Sequence, residues 1–136
     1  MASNDVPVVR SVVAVLAGFF TSTVMSLAAD ILFRRMSPAS FDAAGHASGD
    51  GTLFTMMGYE VLFAAIAGYT TARIAIRRPF AHAAIMGGVV LLGRIPTAWV
   101  AWDTAPPWFH LGVLLLIIPA ALLGAKACQL RASSIQ

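Results

Sequence analysis

The chain has 136 residues, of which 59% are hydrophobic and only 11% charged, with a formal net charge of +3. An ordinary soluble domain carries roughly 25% charged residues, so this composition excludes a water-soluble fold and makes the bilayer the natural solvent. The basic balance does not point to nucleic acid. The cations sit at the ends of apolar runs, where membrane topology places them, and no basic stripe interleaved with aromatics is present.

A membrane-spanning helix needs about 20 mostly apolar residues. Four such stretches predict an all-α fold, a single four-helix membrane bundle. The first, about 8–33, is uncharged from Ser11 to Ala29. It carries Ala14, Gly18, Ser22 and Ser26 at four-residue steps and ends near Asp30. In lipid, helices associate by close approach through small residues, because hydrophobic drive between them is weak. Ser22 and Ser26 have no base at hand and are expected to bond to helix carbonyls. A signal peptide is the rival reading, with Arg10 as its basic start and Ser26-Leu27-Ala28 as its cleavage site. Against it, the apolar run exceeds the usual length of about 7–15 residues.

The loop "MSPASFDAAGHASGDG" follows. Ser37 suits a cap, Pro38 a first helical position and Gly45 a stop. These signals predict a short interfacial helix with Phe41 dipping into the headgroups, then a flexible glycine-rich turn. The second span, about 53–76, begins with Glu60 inside it and continues through Ala64, Gly68 and Ala72. The third, about 79–102, starts at Pro79, offers Ala83 and Gly87, and contains Arg94 and Pro96. The fourth, about 106–128, starts at Pro106 and contains Pro119, Ala120 and Gly124. Pro96 and Pro119 each remove a backbone hydrogen bond and are expected to kink their helices. A faint repeat aligns "VVAVLAGFF" with "HAAIMGGVV" and "AIAGYTTARI" with "ALLGAKACQL", pairing Gly18 with Gly88 and Gly68 with Gly124.

Lys and Arg set orientation. Arg10, Arg73, Arg77, Arg78, Lys126 and Arg131 share one side. The other side holds Arg34 and Arg35 with Asp42, Asp50 and Asp103. Both termini are therefore expected in the cytoplasm, and Trp99, Trp102 and Trp108 fall together at the outer interface as an aromatic belt.

Arg94 is the most informative residue. Glu60 lies eighteen residues before the turn at Arg78 and Arg94 sixteen after it. At 1.5 Å per residue both stand roughly 24–27 Å from that turn, at matching depth on neighbouring helices. An unpaired Arg inside a bilayer costs at least about 2.5–3.5 kcal/mol, and a carboxylate at the same depth is the natural remedy. Asp30 is a third candidate member of the cluster. Side chains lean toward their helix N-terminus, so Arg94 and Glu60 lean in opposite directions and the arginine must reach. A second outlet is the carbonyl of Leu92, which Pro96 frees. The cluster reads either as a register-fixing ion pair or as a polar cavity for a proton, an anion or a small substrate.

Other chemistry finds little support. Cys128 is the only cysteine, which excludes an intrachain disulfide and CxxC chemistry. His46, His82 and His110 offer no two ligands on one helix face. Met36, His46, Met56, Met57 and His110 are soft groups expected at the outer side, but methionines in apolar spans are usually packing. No nucleophile elbow, P-loop, HExxH or dinucleotide fingerprint occurs. A metal, a cofactor and an enzymatic activity are not expected.

"VVRSVVAVLAGFF" followed by "AGYTTARIAIRRPFAHAAIMGG" resembles uncharacterised small four-helix inner-membrane proteins of bacteria. That resemblance covers most of the chain and implies four helices and no established activity. Small multidrug transporters differ in carrying an essential Glu within the first helix, where this chain has only Asp30. Fluoride channels differ in their Asn-bearing pore, since no span here contains asparagine. The expectation is a non-enzymatic subunit of the bacterial inner membrane, packed with itself or a larger complex. The alternative is a small oligomeric transporter or channel using Asp30, Glu60 and Arg94.

Overall fold

The computed structural model describes residues 5–75 and 77–134, with side chains from residue 8 onward. Four long helices dominate: α1 (Asp5–Met36), α2 (Asp50–Ile74), α3 (Pro79–Val100) and α4 (Pro107–Ser133). Each is long and apolar enough to cross a membrane. The 32 residues of α1 rise about 48 Å at 1.5 Å each, past a hydrocarbon core about 30 Å thick. Helices α1 and α4 therefore outrun the apolar windows that mark them in the sequence. Helix α2 begins at Asp50 rather than Leu53, and its predicted end at Ile76 lies outside the described residues. Helix α3 stops at Val100, and Trp102–Thr104 form a 3-10 turn. Pro106 caps α4 and Pro107 is its first residue. Pro96 and Pro119 lie inside α3 and α4, and both helices continue through them.

Helix α2 is central and packs against the other three, most extensively against α4. Helix α3 closes the bundle against α1 and α4. The first and third helices run opposite to the second and fourth. One end thus gathers the C-terminal ends of α1 and α3 with the N-terminal ends of α2 and α4. At the opposite end Arg10 Nε donates to the carbonyl of Ile74 at 2.9 Å, tying α1 to α2.

The radial order of side-chain size is inverted relative to a soluble bundle. Ala14, Ala64, Ala67, Ala83, Ala120, Ala121 and Ala125 are buried, whereas Leu16, Phe20, Leu27, Leu92 and Leu115 face outward. Large apolar groups have no reason to avoid lipid, and small ones let backbones touch. All six predicted packing residues sit at helix contacts or in the interior. A Cβ at Gly68 would strike the carbonyl of Ala121, and one at Gly124 would strike that of Ala65. The two glycines thus interlock α2 with α4 reciprocally. Gly87 lies against Ile118 and Ala121, Gly18 against Ala67, Thr71 and Met86, and Ser22 and Ser26 are buried. The proposed repeat partner of Gly18 behaves differently, since a Cβ at Gly88 would meet nothing within 4 Å.

The buried hydroxyl of Thr71 has no hydrogen-bond partner among the described residues. Leaving a buried polar group unpaired costs about 1–3 kcal/mol. Thr71→Val keeps the branched shape and removes the hydroxyl. It is expected to raise stability by about 1 kcal/mol, read as a higher unfolding midpoint in mixed detergent micelles.

The first loop differs from expectation. Only Pro38–Ser40 forms a helical turn, of 3-10 type, and Ser37 makes no side-chain cap. The chain then closes on itself through an antiparallel bridge between Phe41 and Ala47. Asp42 is the cause: its Oδ1 accepts the N–H groups of Ala44 at 2.9 Å and His46 at 2.8 Å. Such short-range capture competes with helix. Gly45 accommodates the return with φ +81, a left-handed conformation that glycine adopts without steric cost. Phe41 packs on Phe33 with ring centroids 5.6 Å apart, under the Arg34 guanidinium.

Those backbone donors hold the Asp42 carboxyl below its ordinary value of 3.8, with the nearby His46 ring adding to the effect. A depressed carboxyl stabilises the loop above its unfolded value and loses that contribution as pH falls through the folded one. The amide resonances of Ala44 and His46 are therefore expected to titrate together below pH 3.8. In Asp42→Asn they are expected to stay flat across that range.

Candidate functional site: a polar chamber at one end of the bundle

The helix ends that meet near Arg94 enclose a partly open cavity of about 220 Å³. Asp30 and Arg34 come from α1, Glu60 from α2, Arg94 and Thr97 from α3, and His110 from α4. Gly45, His46 and Ala47 of the first loop form one wall, held by Arg34, whose Nη1 donates to the carbonyl of Gly45 at 2.6 Å. The rest of the lining is mostly apolar, including Leu53, Met56, Phe109 and Leu114. Val113 belongs both to this lining and to the buried cluster of Ala67, Met86, Val90, Ile117 and Ala121. That cluster forms the floor, and a smaller one of Ala72, Ala83 and Ala125 lies farther along.

Arg94 and Glu60 form an ion pair, with Arg94 Nη2 donating to Glu60 Oε2. The carboxylate is nearly enclosed, its side chain 9% exposed, while that of Arg94 is 34% exposed. Ser26 Oγ donates to the same carboxylate oxygen at 2.9 Å and stands 3.5 Å from Arg94 Nη2. Ser26 therefore serves the ion pair rather than a helix carbonyl. The guanidinium likewise goes to Glu60 rather than to the carbonyl of Leu92. The length of the arginine side chain overcomes the opposed lean of the two residues. Charge-assisted hydrogen bonds are about twice as strong as neutral ones, and this one, with Ser26, links α3, α2 and α1.

Asp30 lines the chamber but takes a different partner: the Tyr59 hydroxyl donates to its Oδ1. Tyr59 precedes Glu60, so the two project about 100° apart around α2, one to Asp30 and the other to Arg94. Sequence reading missed Tyr59, although its place beside an intramembrane acid was the available signal.

His110 was also missed as a chamber residue. Its ring is 7% exposed and stacks on Trp102 with centroids 5.3 Å apart. Its Nε2 has no hydrogen-bond partner among the described residues. The other histidines are placed elsewhere or differently. His46 Nδ1 lies 3.4 Å from Asp42 Oδ2, and His82 Nδ1 lies 3.1 Å from the carbonyl of Arg78. Among the described residues no three His, Cys, Asp or Glu side chains converge as metal ligands. The tryptophans share the chamber end. Trp108 stacks on Phe54, Trp102 covers His110, and Trp99 points outward, 81% exposed.

The arrangement can fix two opposite charges inside an apolar bundle and offer a partly open, mostly apolar space beside them. No family model, curated protein or solved structure matches this chain.

Proposed function

We propose that this chain is a non-enzymatic, multi-pass protein of a bacterial inner membrane that binds a small molecule in its chamber, as a transporter or receptor does. The carrying observation is the cavity itself: about 220 Å³, partly open, bordering the buried core at Val113 and lined by the buried polar residues Glu60 and His110. Intramembrane ionisable residues facing a cavity are expensive to keep and mark binding sites. In this reading Arg94, Glu60 and Ser26 hold the three helices around the site, and Asp30 with Tyr59 does the same on the α1 side. The chamber faces the exterior and both termini face the cytoplasm. Arg10, Arg73, Arg77, Arg78, Lys126 and Arg131 flank the far end, as cytoplasmic cations do, and the tryptophans ring the chamber end.

A second reading, an accessory subunit of a larger complex or a homo-oligomer, draws on the outer surface. Gly88 and Gly93 on α3 have open space around them, which another helix can enter.

The test of the first reading uses Ala98, which lines the chamber. Ala98→Cys in a Cys128→Ser background is expected to react with a membrane-impermeant thiol reagent added outside intact cells. Reaction only after the membrane is opened, or none at all, contradicts the chamber's outward opening.

A further inference from the structure

The end of the bundle opposite the chamber carries an unbalanced charge. Arg10, Arg73, Arg77, Arg78, Lys126 and Arg131 lie there, whereas Asp30, Asp42, Asp50, Glu60 and Asp103 all lie toward the chamber end. Among the described residues, none of these six cations forms an ion pair. Two of them come together. Helices α2 and α4 run in the same direction and touch backbone to backbone, where a Cβ at Gly124 would meet the Ala65 carbonyl and the Tyr69 nitrogen. Arg131 follows Gly124 by seven residues, so it lies on the face of α4 that meets α2. Arg73 follows Tyr69 by four and shares its face of α2. Arg131 stands about 10 Å beyond the Gly124 contact and Arg73 about 6 Å beyond Tyr69, at similar depth. The Tyr69 hydroxyl lies within hydrogen-bonding reach of both guanidinium groups. Both arginines are exposed and belong to the last turns of α2 and α4. Cations there offset the helix dipoles, but that effect does not bring two of them to one hydroxyl. Like charges held together repel, and among the described residues no carboxylate stands between them.

We infer that Arg73, Arg131 and the Tyr69 hydroxyl hold the phosphate of one anionic phospholipid at the seam between α2 and α4. A guanidinium keeps its charge in proteins, and its fork of N–H donors matches phosphate oxygens. The tyrosine O–H supplies a further donor. Place selects a lipid as the source of the phosphate. Both arginines stand at the ends of span-length helices, at the level of the headgroups, and basic pockets between membrane helices bind anionic headgroups. Exposed Leu62, Leu123 and Leu130 flank the seam and give the acyl chains an apolar track. The interlocked glycines Gly68 and Gly124 fix α2 against α4, so the two arginines are positioned before the lipid arrives, which lowers the cost of binding. This site stands apart from the chamber and does not depend on it.

The experiment is native mass spectrometry of the delipidated protein, titrated with phosphatidylglycerol or phosphatidylcholine of equal chain length. One phosphatidylglycerol is expected to bind each chain about tenfold more tightly than phosphatidylcholine. Arg73→Gln with Arg131→Gln is expected to remove that preference, and Tyr69→Phe to weaken it. Arg77→Gln with Arg78→Gln takes the same charge from the same end and is expected to leave it intact. Arg73→Lys with Arg131→Lys keeps the charges in both last turns but loses the fork. It is expected to weaken the preference without removing it, and it covers the case in which the glutamine pair does not fold. Equal losses in the two glutamine pairs overturn the inference, because the field of the whole end then attracts the lipid. Equal binding of the two lipids overturns it as well. Displacement of phosphatidylglycerol by an equal concentration of glycerol phosphate assigns the site to a soluble phosphate and overturns the lipid as its occupant.

Discussion

Arg94→Met is expected to destabilise the bundle by about 3 kcal/mol, most of which returns when Glu60→Met is added. Among the described residues, the single change leaves the nearly enclosed Glu60 carboxylate with Ser26 as its side-chain partner. Breaking a buried ion pair from one side typically costs about 3–5 kcal/mol, whereas replacing both members by apolar groups is often neutral. The lower end applies here because the Arg94 side chain is 34% exposed and the Ser26 hydroxyl still donates to the carboxylate. Unfolding free energies by steric trapping in bicelles, for both single variants and the double, give the coupling directly. Additive losses would show that the pair does not act as a unit, and that Arg94 is satisfied elsewhere.

Gly124→Leu is expected to be at least as damaging, by a different route. The new Cβ lands on the backbone of Ala65 and comes within 2.9 Å of the Tyr69 nitrogen. Backbone atoms of a packed helix cannot step aside as a side-chain tip can, so α2 and α4 must separate. Overpacking a tight core typically costs about 1–3 kcal/mol and occasionally more, and this site belongs at the upper end because the obstacle is main chain. Gly68→Leu meets Ala121 in the same way and is expected to match it. Gly88→Leu is the control: with nothing within 4 Å, its effect is expected to stay within about 0.5 kcal/mol, as at ordinary surface positions. Equal effects at Gly124 and Gly88 would contradict the reciprocal α2–α4 contact.

Much of this architecture is legible in the sequence because the bilayer leaves few choices. Backbone groups in hydrocarbon must be satisfied internally, so four apolar stretches of span length give four helices. The four-residue steps of small residues in the first and second spans marked faces that do pack, and a shared depth brought Arg94 and Glu60 to notice. What was not legible depended on azimuth and on competition between local bonds. Depth alone does not say that Ser26 faces Glu60, or that Tyr59 rather than Arg94 takes Asp30; those follow from how α1 is rotated against α2. The first loop went astray because Ser37 and Pro38 signal a helix start, whereas Asp42 captures the amides of Ala44 and His46 and turns the chain back. His110 carries no motif. Its burial comes with the Trp102 ring stacked on it from outside the helix, which no stretch of α4 records. Gly18 and Gly88, aligned by the faint repeat, likewise differ in their surroundings, since similar local sequence does not give similar packing.

Native mass spectrometry of the protein in membrane patches excised without detergent tests the central claim most directly. The chain is expected alone or as a small homo-oligomer, with a small molecule bound that is absent when Ala98→Leu fills part of the chamber. Fixed stoichiometry with larger subunits, and no small molecule displaced by that variant, would contradict it. The chamber would then be a by-product of bracing Arg94 inside a structural bundle.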